Sequence, residues 1–227
     1  MIRCVVFDFD GTLVDSNAVK RDCFQVAIGV VQDLGAATAL RTALADGGDR
    51  YTILGSVARL LWKQPEAAAS AARFLATAYS RCCAQGIRRA ARRRGLMSTM
   101  RALRDRGIPL YVNSATPRSD LLPLLRAMRL SGSFTGVYGA PCDKQRNLRS
   151  IMRRERLRPI ETVVIGDGED DKVAALALGC RFVAIAAPNS VATSACAALP
   201  DLRRLPLLLH RQLGLQRSRR AASRGQT

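Results

Sequence analysis

Arg3-Cys4-Val5-Val6-Phe7-Asp8-Phe9-Asp10-Gly11-Thr12 is the stretch from which the fold of this 227-residue chain can be read. Its first part is a short apolar run rich in β-branched side chains; it stops at a carboxylate, and Gly11 then breaks it. Such a run reads as a strand buried on both faces, the kind found inside a parallel sheet. Further short candidates follow at 108–113, 134–138, 162–165 and 181–185, each separated from the next by sequence of helical character. Strands alternating with helices predict an α/β fold, a Rossmann-like parallel sheet flanked by helices.

The gap between the first two strand candidates is far longer than one crossover helix needs. It is rich in Ala, Leu and Arg and reads as helices over 19–34, 36–45, 51–63 and 65–94, broken at Gly47-Gly48 and Gln64-Pro65. This predicts an inserted all-helical subdomain at 17–93, a main domain formed by 1–16 and 94–210, and a return between them near Arg94-Gly95. A Leu-rich segment follows Pro206, carrying the lone histidine, His210, in a structural setting. The end, 211–227, is basic and low in apolar residues, and is expected to be disordered.

With 48% hydrophobic residues the chain can bury a real core. No apolar run reaches the roughly 18 residues of a membrane span, and Asp8 cuts short the N-terminal run, so no membrane partner and a cytoplasmic location are expected. The cysteines at 4, 23, 82, 83, 142, 180 and 196 contain no CxxC pair and have one histidine to join them. Zinc and disulfide frameworks are therefore not expected, and the cysteines read as small buried apolar residues in a reducing compartment. The net charge of +18 favours anionic partners. Only Lys20, Lys63, Lys144 and Lys172 are lysines, so an even arginine bias along the chain is the competing explanation. The Arg88-Arg89 and Arg92-Arg93-Arg94 cluster motivates a nucleic-acid-binding reading, which the scarcity of aromatic residues weakens.

Four segments carry chemistry. Asp8 and Asp10 lie where the first strand stops, at the sheet edge where ligands bind; two such carboxylates need a proton or a hard cation such as Mg2+ between them, although Asp-Gly also reads as a simple turn. Ser114, Ala115 and Thr116 follow the second strand, where a hydroxyl and backbone N–H groups opening a helix suit a phosphate, or merely cap that helix. Lys144, beyond the third strand, offers a cation for phosphate and carboxylate charge, or an exposed helix start. Gly166-Asp167-Gly168-Glu169-Asp170-Asp171 crowds acids after the fourth strand, as a metal site with Asp167 as ligand and Asp171 supporting it one turn on, or as a solvated acidic turn.

All four fall in order at the C-terminal ends of successive strands and so converge on one pocket. As an ordered set they resemble the haloacid dehalogenase superfamily, with the insert resembling the cap of its phosphoglycolate phosphatase and β-phosphoglucomutase-like branch. That resemblance implies a Mg2+-dependent phosphatase acting on a small phosphorylated substrate. In it Asp8 is the nucleophile, Asp10 the acid and base, and Mg2+ is held by Asp8, the Asp10 carbonyl and Asp167, with Asp171 in support. Gly11, Thr12, Ser114, Ala115 and Lys144 hold phosphate, and Arg50 reaches in from the cap to select substrate. A phosphomutase uses the same residues and stays open as an alternative. The Gly139-to-Lys144 segment departs from the Lys-Pro-x-Pro run of phosphoglycolate phosphatases, so that substrate is not expected.

Overall fold

The structure is a computed structural model that describes residues 1–185 and 197–211. The expected basic tail from 212 on, and Cys196, lie outside the described residues. Six parallel strands form one sheet in the order β3-β2-β1-β4-β5-β6: β1 Cys4–Phe7, β2 Leu110–Pro117, β3 Gly136–Ala140, β4 Thr162–Gly166, β5 Arg181–Ile185 and β6 Ala197–Leu199. The described helices are α1 Asn17–Gly29, α2 Ala36–Asp46, α3 Arg50–Leu61, α4 Pro65–Arg89, α5 Leu96–Arg104, α6 Arg118–Ala127, α7 Lys144–Glu155, α8 Glu169–Ala177 and α9 Leu205–Arg211. The α/β fold is thus the one read from the strand pattern, and no described helix is long and apolar enough to cross a membrane.

β1 lies centrally, and the chain runs outward from it in both directions, to β2 and β3 on one side and β4 to β6 on the other. A reversal of this kind opens a crevice at the C-terminal ends of the strands beside β1. Phe7 pairs with Val112 on one side and Ile165 on the other. One residue onward, the register therefore brings Asp8 level with Asn113 and Gly166. One face of the sheet is sealed by Leu148, Ile151 and Met152 of α7 and Ala174 and Ala175 of α8 against Cys4, Val6, Tyr111, Val164 and Phe182. The spacing of those α7 residues, one turn apart, is what gives the helix its apolar stripe.

The chain divides into two compact units, Met1–Asp15 with the chain from Ala91 on, and Ser16–Ala90. The second is all helical, with α1 and α3 packed along α4. α4 ends at Arg89, short of the reading to 94, because the returning chain pairs with the outgoing one: Asp15 N donates to the Ala91 carbonyl and Arg93 N to the Leu13 carbonyl, both at 2.9 Å.

Three expectations need correction. Cys23 and Cys82 form a disulfide across α1 and α4, with Cα atoms 5.6 Å apart and a separation of 59 positions in sequence. Local cysteine spacing holds no trace of a pair made by two packed helices, and cysteine usage no longer supports a reducing compartment. β2 runs on through Ser114, Ala115 and Thr116, so Ser114 belongs to the strand rather than to a helix start. Pro117 keeps Thr116 extended and α6 opens only at Arg118. β6, two alanines and a leucine without a β-branched side chain, was not anticipated. His210 is exposed on α9, which docks through the buried Leu205 and Leu209.

Candidate active site

Asp8 follows directly from β1, and its backbone N–H donates to the Ile165 carbonyl at 2.8 Å, which ties it to β4. Its side chain is almost wholly buried. Asp167 follows β4 and is exposed, and Asp171 is buried in the first turn of α8. These three place carboxylate oxygens within 4.8 Å of one another. Gly166 is required here, because a Cβ at that position would lie 2.5 Å from the Asp171 side chain.

Lys144 reaches into this acidic group. Its Nζ lies 3.1 Å from Asp8 Oδ1, 2.7 Å from Asp171 Oδ1 and 2.9 Å from Asp170 Oδ2. A cation at the first position of a helix faces the positive end of the helix dipole. The carboxylates outweigh that penalty. Burial opposes its charge, yet Asp8, Asp171 and Asp170 together raise its pKa. The acids fare differently: burial and then Asp171 drive Asp8 well above the usual carboxylate range, against the pull of Lys144. Burial likewise raises Asp171 to about 7, with Asp170 and Asp167 adding to it and Lys144 opposing. Burial raises both Asp8 and Asp171 first of all, and the single ammonium they share does not offset it.

Asp10 is held apart from this group. Thr116 Oγ1 donates to its Oδ2 at 2.9 Å, and both residues are buried. Thr116 N in turn donates to Ser114 Oγ at 3.1 Å, so the end of β2 links the two hydroxyls to Asp10. Thr12 Oγ1 donates to Asp167 Oδ1 at 3.2 Å, joining the loop after β1 to the loop after β4. Gly11 sits in that first loop at φ +74°, a backbone conformation natural to glycine, and accepts a hydrogen bond from Arg93 Nη2. Ala115 is exposed at the end of β2.

The main-domain residues named from sequence therefore gather at one edge of the sheet, with the Asp10 carboxylate outside the three-acid group. Arg50 lies in the helical unit, where its Nη1 donates to Ser80 Oγ at 2.9 Å and its guanidinium lies over the Tyr51 and Tyr79 rings. Thr116 and Asp170 were quoted within their motifs but not assigned; their contacts to Asp10 and Lys144 appear only in three dimensions. In the basic cluster, Arg92 Nη2 donates to the Met128 carbonyl at 2.5 Å and Arg93 pairs with Asp15 at 3.8 Å, so these two side chains serve the main unit internally.

The donor set suits a hard divalent cation. Asp8, Asp167 and Asp171 offer only oxygen ligands, and Asp171 Oδ2 is buried without a hydrogen-bond partner among the described residues. A cation there would satisfy that atom and relieve the repulsion that raises Asp8 and Asp171.

Residues 2–179 match the haloacid dehalogenase-like hydrolase family. The phosphoglycolate phosphatase of Pseudomonas putida is 25% identical over 201 residues, covering 81% of this chain and 69% of the relative. That of Photorhabdus laumondii is 26% identical over 206 residues, covering 88% and 87%. Among solved structures, CbbY of Rhodobacter sphaeroides in complex with phosphate superposes with a TM-score of 0.68 at 20% identity, covering 90% of this chain and 96% of its own. A subfamily IA hydrolase of the same superfamily from Geobacter sulfurreducens gives 0.64 at 21% identity, covering 92% and 96%. A match across most of the chain, together with an acidic site at the C-terminal edge of β1 and β4, means that this chain belongs to the haloacid dehalogenase-like hydrolase family.

Proposed function

We propose that this protein is a Mg2+-dependent phosphatase that hydrolyses a small phosphate monoester through an aspartyl phosphate on Asp8. The observation that carries the reading is the buried Asp8 carboxylate, 3.1 Å from the Lys144 ammonium and grouped with Asp167 and Asp171. The phosphoglycolate phosphatase relatives support the reaction class. The absence of the Lys-Pro-x-Pro run leaves the ester itself open.

In this reading an Asp8 oxygen attacks phosphorus, the ester P–O bond breaks, and Asp10 gives its proton to the departing alkoxide. Asp10 then takes a proton from water as that water attacks the aspartyl phosphate, releasing inorganic phosphate and restoring the Asp8 carboxylate. Thr116, by donating to Asp10 Oδ2, fixes which oxygen faces the substrate. Lys144, with Ser114, Thr12 and the N–H groups near Gly11 and Ala115, stabilises the phosphoryl oxygens as charge shifts between them. Mg2+, held by Asp8, Asp167 and the Asp10 carbonyl with Asp171 behind, would keep Asp8 ionised and offset the charge of the phosphate. The helical unit, with Arg50, is assigned the choice of substrate.

The test is hydrolysis of a panel of sugar phosphates, short-chain phosphate esters and nucleotides, with Mg2+ or chelator, by wild type and Asp8→Asn. Phosphate release that needs both Mg2+ and Asp8 supports the reading. Release indifferent to both would remove it. A phosphoenzyme that decays slowly in water and quickly on adding a sugar phosphate would instead identify a phosphomutase.

A further inference from the structure

Asn113 and Asn147 belong to none of the roles assigned above, yet both are buried, at 2% and 4% exposure. Asn113 is in β2, next to Ser114, and Asn147 is in the first turn of α7, three residues after Lys144. Asn147 Nδ2 donates to Asn113 Oδ1 at 3.0 Å and to the Cys142 carbonyl at 3.4 Å. Asn113 Nδ2 donates to the backbone carbonyl of Lys144 at 3.0 Å. Two buried amides thus share a hydrogen bond and grip the main chain on both sides of Asp143, the residue that caps α7.

We propose that the Asn113–Asn147 pair is a positioning device for Lys144, locking the start of α7 to the end of β2 so that the ammonium stays on Asp8 and Asp171. The inference rests on the phosphatase reading for what Lys144 does there. Apolar contacts hold α7 further along, through Leu148, Ile151 and Met152. Such contacts are non-directional and leave the rotation of the first turn loosely set. Hydrogen bonds have narrow angular limits and set it. Lysine needs that help, because its ammonium ends a flexible four-carbon stem and its helix position is electrostatically unfavourable. Neither asparagine is given a contact with reacting atoms, so both act through Lys144.

The test uses the full chain and reads Lys144 directly. Reductive methylation followed by peptide mass mapping distinguishes all four lysines. In wild type, metal-free, Lys144 is expected to react much more slowly than the exposed Lys63. In Asn147→Ala, which loses both the Asn113 and the Cys142 hydrogen bonds, its rate is expected to rise by about tenfold, the scale of two such bonds at the low end of their worth. In parallel, kcat for the best ester is expected to fall by about tenfold with KM little changed, and the same substitution in a Lys144→Ala background should cost nothing further. Unchanged protection of Lys144, or an equal loss of kcat in both backgrounds, overturns the proposal. If Asn147→Ala shows no cooperative thermal transition, Asn113→Ser carries the same comparisons. A wild type without Asp8-dependent hydrolysis would remove the phosphatase reading, and the methylation rates would still decide whether the pair positions Lys144.

Discussion

In the metal-free protein, Asp171→Asn is expected to raise stability while removing function. Asp8, Asp167 and Asp171 bring three carboxylates within 4.8 Å, and the Lys144 ammonium is shared with Asp170 as well. Moving a buried carboxyl from the usual 3.8 to about 7 makes its ionised form cost about 4 kcal/mol at pH 8, at about 1.36 kcal/mol per pH unit. The sign follows from the raised value. Between pH 4 and 7 the folded protein holds a proton that the unfolded chain has released, so this group favours the native state as pH falls from 8 to 5. An asparagine keeps the shape of the protonated acid and still accepts from Lys144, so it removes the penalty and its pH dependence. Urea unfolding in chelator is expected to show Asp171→Asn more stable by about 2–4 kcal/mol at pH 8, with the gap closing towards pH 5. Adding Mg2+ should narrow the gap at pH 8, since only a protein that binds the ion well is stabilised by it. A variant less stable than wild type at pH 8 in chelator would refute the reasoning, because the Lys144 pairing would then outweigh the repulsion.

Gly139→Ala is expected to lower stability by about 2–3 kcal/mol in the same assay, since its Cβ would lie 2.4 Å from the Thr116 carbonyl oxygen and 2.8 Å from Arg118 N, both backbone atoms. Reduction of Cys23–Cys82 should cost the helical unit about 4 kcal/mol, from the entropy of closing a loop whose ends are separated by 59 positions. Thermal unfolding with and without reductant measures it, and no downward shift would argue against the bridge. Glu161 is held down to about 2 from 4.5 by hydrogen bonds from the Arg158 backbone and side chain. Its contribution is complete above pH 4.5 and lost as pH falls towards 2, so Glu161→Gln should flatten the loss of stability between pH 5 and 3.

β1 and β4 were legible because a strand buried on both faces writes itself as a continuous apolar run, as at Cys4–Phe7 and Thr162–Gly166, whereas the half-buried Ala197–Leu199 of β6 carries no such signal. The carboxylates that end β1 and β4 were legible for the same reason, since each interrupts such a run. Errors fell where neighbours in space outweigh neighbours in sequence. β2 continues through Thr116 because β3 pairs with it as far as Pro117, across a register shift after Asn113. α4 stops at Arg89 because the two linker segments pair. The disulfide joins helices whose packing no local spacing records.

The order of carboxylates, hydroxyls and lysine along the chain was enough to name the candidate residues and the edge on which they meet, because strand ends of a parallel sheet share one side. Which of them touch was set by packing. Lys144 meets Asp171 across 27 positions and Thr116 meets Asp10 across 106. Asn113 and Asn147, unremarkable in the linear text, become a buried pair only when α7 lies on β2. Hydrogen bonds and ion pairs act over about 3 Å, and distances of that size between remote residues exist only once the sheet register and the seating of each helix are in place.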